Sequence, residues 1–349
     1  MAARLGQGHC LNTGVVSTIN KSTQQQNQMS NRPRVGLLGA SGETGSSILN
    51  GLIEDAGFDI VAFVRPQSIF KPANLRIEQK GVQVRVLDLK APENTVVAAL
   101  EDIEILISAI GPREQLSQIP LVIAAKKAGI KRFVPCAFAP VLPVGVHRSR
   151  DEKEEVFNLI KRLHIPYTII DVGWWYQFTL PRLTSGKIDY ALTVPLQGIP
   201  GDGNVQTALT DVRDVGKYVS RAIRDERTLN TMVFAYGETW TLNGIYDVLE
   251  RLSGEKVSRE YTTAAQYEQQ IAEADINLNR DPQDVDARSQ KVLAQYYLSW
   301  GIRGENTPEF ARYLGYLDGK KLYPDVKLHT FEGYIHELLI GKGKGVYKS

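Results

Sequence analysis

Two cysteines in 349 residues, Cys10 and Cys136, leave no disulfide framework and no zinc-type spacing to build. The five histidines are scattered too, without metal-ligand spacing, so no metal is expected. A dominant charge is also missing. The formal net charge of +2 gives no general attraction to nucleic acid or to an anionic membrane. No apolar run approaches the length of a bilayer span. Scarce cysteine and the lack of a secretory hydrophobic core suit a reducing compartment, so the expected location is cytoplasmic. What is present, 43% hydrophobic and 23% charged residues, is the balance of a globular chain. Its length suggests two lobes or one enlarged domain.

The opening stretch, "MAARLGQGHCLNTGVVSTINKSTQQQNQMS", has no acidic residue and no apolar periodicity. Residues 1–32 are therefore expected to be a disordered extension, with Met29 a candidate alternative start. From Arg34 the chain alternates. Apolar runs at 35–40, 59–64, 82–88, 103–111, 132–138 and 167–175 read as strands, and the segments between most of them read as amphipathic helices. This rhythm predicts an α/β fold: a Rossmann-type doubly wound parallel sheet with a smaller, mainly helical C-terminal lobe. The expected division is 33–175, with a returning segment at about 205–237, for the nucleotide domain. Residues 176–204 and 238–349 would form the substrate lobe.

In such a sheet ligands bind beyond the carboxyl ends of the strands. The stretch "VGLLGASGETGSSILNGL" (35–52) places Gly39 at a strand end and Gly42 and Gly45 at the start of a helix, with Ser41, Glu43 and Thr44 between them. Side-chain-free backbone at a helix N-terminus accepts a pyrophosphate. The spacing is G-x-x-G-x-x-G rather than G-x-G-x-x-G, so context carries the reading. Twenty residues after Gly45 the second strand ends at Arg65, where an NAD-binding fold would carry a carboxylate. A guanidinium there pairs with a 2′-phosphate, and Lys71 would add a second cation, so NADP(H) is the expected cofactor. The alternative for Arg65 is an ordinary surface arginine. Asp88, Ser108 and Ala109, at later strand ends, are candidates for the cleft or for strand-end packing.

Lys153 stands on the wrong face of its helix. In "SRDEKEEVFNLIKRLHIPYT" the stripe Val156, Phe157, Ile160 and Leu163 is apolar, and Lys153 lies near its middle. A partly buried lysine can have a lowered pKa, which suits a general acid/base, and the N-terminal end of this helix should face the strand termini and the cofactor. The alternative is a lysine whose stem packs while its head reaches water. Tyr316 with Lys320, and Tyr323 with Lys327, have Tyr-x-x-x-Lys spacing but lie in the C-terminal lobe, where they read as accidental.

"GASGETG", the strand ending in Arg65, "AGIKRFVPCAF" (128–138), Lys153 ahead of "HIPYT", "TDVRDVGKYV" and "RTLNTMVFAYGE" together resemble the NmrA-like and isoflavone reductase-like branch of atypical short-chain dehydrogenases, its fungal members especially. The resemblance implies an NADP-dependent oxidoreductase of aromatic or polycyclic small molecules in secondary metabolism, with Lys153 as the catalytic acid/base. A homodimer is an open option. Where plant members carry Ser-Glu-Phe-Gly, this chain has Cys136-Ala137-Phe138-Ala139. Phe138, His147, Trp174, Trp175 and Tyr176 are the candidate substrate contacts. Two rival functions stay open: a redox-neutral isomerase retaining NADP(H), and a non-catalytic NADP(H)-sensing regulator.

Overall fold

The computed structural model describes residues 32–111 and 114–347, so the expected N-terminal extension lies, Arg32 aside, outside the described residues. The chain from Arg34 alternates β1 (Arg34–Leu38), α1 (Glu43–Asp55), β2 (Asp59–Val64), α2 (Pro72–Gln79), β3 (Gln83–Val86), α3 (Glu93–Leu100), β4 (Ile105–Ser108), α4 (Gln118–Ala128), β5 (Arg132–Val134), α5 (Arg148–Arg162) and β6 (Thr168–Asp171). The first five strands form a parallel sheet in the order β3-β2-β1-β4-β5. Order reverses beside β1, so the crevice between β1 and β4 opens at their carboxyl ends.

The runs are apolar throughout because the sheet is covered on both faces. Along β1, β2 and β4, side chains alternate between two cores. Val35, Leu37, Ile60, Ala62, Ile105 and Ile107 enter one. Leu38, Val61, Phe63 and Leu106 enter the other. On the first side lie Ile48, Leu49 and Leu52 of α1; on the second lie Leu100 of α3, Leu121 and Val122 of α4, and Val156 and Ile160 of α5. Each fully buried leucine contributes roughly 1.5–3 kcal/mol of transfer free energy.

Except for β2, the strands are shorter than the apolar runs, because their carboxyl ends leave the ladder to become site loops. The run 167–175 splits, with Gly173 at φ 79 after β6. There β7 (Trp174–Trp175) departs from the main sheet. After β8 (Ile199–Pro200), β9 (Thr207–Thr210) pairs with β7, and α6 (Val215–Ala222) packs against α1. Next, β10 (Thr231–Phe234) lies beside β6 in parallel, and β11 (Glu238–Trp240) completes the sheet of β7 and β9. The first sheet meets β6 through one isolated parallel bridge, Phe133 to Tyr167.

The remainder is mainly helical: α7 (Leu242–Ser253), then β12 (Tyr261–Thr262), α8 (Ala264–Arg280) and α9 (Val285–Tyr296), which runs into a π-helical turn, Tyr297–Arg303. It continues with α10 (Pro308–Tyr313), β13 (Leu317–Asp318), α11 (Gly319–Leu322) and α12 (Phe331–Leu339). Tyr176, Tyr246, Trp300, Phe331 and Ile335 lie in its own core. One strand crosses the expected division. Leu317–Asp318 falls in the segment read as lobe, yet it pairs with Val233 and Phe234 at the edge of the sheet containing β6. Among the described residues no helix is long and apolar enough to cross a membrane.

Candidate active site

Two cavities meet at the carboxyl end of the sheet. The larger, about 860 Å³, is lined by Gly39, Ser41, Gly42, Arg65, Asp88, Ala109 and Ile110, among others. Its floor is backbone. Gly39 has φ +79, and a Cβ there would stand 2.2 Å from the Ala109 carbonyl oxygen. A Cβ on Gly45 would stand 1.9 Å from the Gly39 oxygen. Strand, turn and helix are thus drawn together at distances that only glycine permits. The N-cap of α1, Gly42, has no side-chain cap among the described residues, so the first-turn N–H groups point at the cleft without a side-chain acceptor. A bound pyrophosphate fits that donor set. Arg65 stands at the rim, its side chain 62% exposed and 3.5 Å from Glu114. Asn74, not anticipated, lines the cleft with its Nδ2 donating to the Ser68 carbonyl.

The smaller cavity, about 240 Å³, shares Ile110 with the first and is mostly apolar and aromatic, with Thr44, Gln115, Ser149 and Lys153 among its polar lining. Thr44, Cys136, Phe138, Lys153, Trp174, Trp175, Phe178, Tyr296 and Tyr347 line it. Phe138 holds φ 41, a left-handed conformation that is strained for a bulky residue and common at functional sites. Lys153 is only 7% exposed, and its Nζ donates to the Ala137 carbonyl at 2.6 Å. Burial pushes the ammonium pKa down from the ordinary lysine value, Cys136 and Asp171 push it back up, and Arg150 lowers it. Asp171, itself buried, has its pKa raised by desolvation and accepts the Tyr316 hydroxyl at 2.6 Å. Burial likewise raises the Cys136 pKa and keeps it a thiol, which donates to the Ile110 carbonyl at 3.3 Å.

Several expected residues stand elsewhere. Tyr176 does not line either cavity. The 3₁₀ turn Tyr176–Phe178 sends it into the lobe core, where it is fully buried against Phe331 and Tyr334 and its hydroxyl donates to the His329 carbonyl. His147 is buried behind the site instead of lining it. Its Nδ1 accepts the Ser149 N–H, capping α5, and its ring lies 4.8 Å from that of Tyr296. Desolvation first, then Lys153, lowers its pKa to about 4. Lys71 is exposed at the cap of α2 and lines no cavity described here, and Ser108 is buried in β4 with its Oγ unpartnered among the described residues. Glu43 turns away from the cleft, and its Oε1 accepts the Tyr347 N–H at 2.8 Å. The two Tyr-x-x-x-Lys pairs are not assembled: Tyr316 reaches Asp171, whereas Lys320 reaches the Gly237 carbonyl. Tyr323 reaches Asp225.

The NmrA-like family pattern matches residues 32–335, most of the chain. This protein belongs to the NmrA-like family. Among relatives, asnovolin J 5′,6′-dehydrogenase of Aspergillus novofumigatus is 44% identical over 88% of this chain and 95% of that protein. A phenylcoumaran benzylic ether reductase of Nicotiana tabacum is 27% identical over 88% and 99%. The solved leucoanthocyanidin reductase–NADPH complex from Vitis vinifera superposes with a TM-score of 0.73 at 24% identity, covering 88% of this chain and 99% of that one. That last likeness concerns the fold. The NmrA-like chain therefore has the sheet its alternation predicted, with a glycine-floored crevice and a buried lysine side by side.

Proposed function

We propose that this chain is an NADPH-dependent oxidoreductase of an aromatic or polycyclic small molecule in secondary metabolism, with Lys153 as its general acid/base. The observation that carries the reading is the buried Lys153 ammonium, in an aromatic cavity that shares Ile110 with a glycine-floored cleft. When bound, the nicotinamide would supply the hydride. Gly39, Gly42 and Gly45 let the backbone approach a pyrophosphate, and Arg65 offers a planar cation to a 2′-phosphate. Trp174, Trp175 and Phe178 orient a flat substrate and exclude water. Lys153, held by the Ala137 carbonyl, delivers a proton from Nζ to the atom that gains charge as the hydride arrives. Its lowered pKa makes that proton easier to give.

A specific observation favours a second direction. The relative at 44% identity is named a dehydrogenase. Run that way, neutral Lys153 accepts the proton while the hydride leaves the substrate. The test begins with fluorescence titrations of NADPH and NADH on wild type and Arg65→Ala. A preference for NADPH that the substitution abolishes supports the reading. Equal binding of both nucleotides, unaffected by the substitution, sinks it. Turnover of aromatic candidates with NADPH or with NADP⁺ then decides the direction, and Lys153→Ala serves as the inactive control.

A further inference from the structure

The cavity around Lys153 has about 240 Å³ of room, less than the roughly 300–1,000 Å³ that small-molecule sites occupy. A multi-ring substrate therefore needs a wall to yield. Phe138 and Trp175 are buried and cannot move cheaply. The C-terminal strap after α12 differs. Its sequence, "GKGKGVY" (341–347), alternates glycine with lysine, giving the strap few side chains to anchor it. Val346 is buried in the core, and its carbonyl accepts the Thr193 hydroxyl. One residue on, Tyr347 is 58% exposed, yet its ring lies over the cavity.

That ring stacks on Trp175 at 6.3 Å and on Phe178 at 6.2 Å, with interplanar angles of 24° and 23°. Its backbone is left-handed, φ 55, a conformation uncommon for an aromatic residue and held here by the Glu43 carboxylate. Strained backbone of this kind clusters at ligand clamps and switch regions. We infer that Tyr347 is a movable wall of the substrate cavity: its ring lifts from Trp175 and Phe178 to admit a planar aromatic ligand, then lies against that ligand. The inference rests on reading this cavity as the substrate site. It also ties substrate closure to the nucleotide turn, because Glu43 begins α1.

The test uses the full chain and anilinonaphthalene sulfonate as a planar aromatic probe, excited by energy transfer from tryptophan. Wild type should bind it. Tyr347→Ala and Tyr347→Leu should weaken binding about three- to tenfold, the scale of one lost aromatic contact, and Tyr347→Phe should restore it. Tyr313→Ala, an exposed tyrosine far along the chain from this site, should change nothing. Thermal midpoints of all variants should match, since Tyr347 carries little of the core. Unchanged or tighter binding in Tyr347→Ala, failure of Tyr347→Phe to rescue, or absence of energy-transfer binding in wild type would each overturn the inference. NADPH titration of the same variants reports separately on the cofactor reading.

Discussion

The two cavities are built on opposite principles. The glycine-floored cleft is a backbone site: its floor is Gly39 to Gly45, and its walls are strand ends that a parallel sheet provides anyway. The Lys153 cavity is a side-chain site, assembled from residues near 44, 110, 136–140, 149–153, 173–178, 296 and 347. A backbone site tolerates almost no change at Gly39 and Gly45, because a carbon added at either meets a carbonyl. A side-chain site can be relined one residue at a time without disturbing the fold.

The contrast can be broken experimentally, and the largest effect is expected on the side-chain half. Lys153→Met should lower turnover about 10²- to 10⁴-fold, the usual range for a positioned acid/base, with a much smaller loss of NADPH affinity from the missing nicotinamide-side contact. A parallel loss of nucleotide affinity would show that the two sites are not separable. Next comes the backbone half. Gly45→Ala forces a carbon against the Gly39 oxygen and should weaken NADPH about 30- to 100-fold, the cost of overpacking a rigid turn. Binding of an aromatic probe should survive it. Arg65→Ala should cost NADPH about tenfold and NADH almost nothing, because one charge-assisted contact is lost from an exposed rim.

The smallest effect concerns pH. The folded chain holds His147 near a pKa of about 4, against an ordinary 6.5. Between those values the unfolded chain takes up a proton that the folded chain refuses. Stability is therefore present above about pH 6.5 and is lost as pH falls toward 4. The loss should reach about 1 kcal/mol between roughly pH 7 and pH 5.5. His147→Asn keeps a capping side chain and should flatten that slope in urea titrations. An identical slope in the variant would assign the acid sensitivity to another group.

Legibility from sequence followed the same divide. The alternation of apolar runs and helices, the glycine turn, Arg65 at the second strand end and Lys153 on an apolar stripe were all readable, because each is a local pattern with a fixed period or offset. Tyr347 and Tyr296 were not. Both line the cavity only because distant segments fold back on it, and nothing near either position distinguishes it from other tyrosines. Tyr176 was misplaced because strand alternation stops at Trp175, where a 3₁₀ turn takes over. His147, expected to line the site, faces Tyr296 and the helix end instead, which periodicity cannot reveal. Leu317–Asp318 was invisible as a strand: two residues carry no period.

The single bridge between Phe133 and Tyr167 bears on how the chain acquires its shape in time. Strands β1 to β5 follow one another in the chain, β1 meeting β2 across roughly 25 residues and β4 across roughly 70. Beyond the bridge, β6 must wait for β10, roughly 60 residues downstream, and β10 for β13, roughly 85 residues further, and closing such long loops slows folding. Pulse-labelling hydrogen exchange should protect the Leu37 amide before that of Ile170; the opposite order would refute this succession. A ribosome making this protein would thus release a finished nucleotide half well before the last strand emerges.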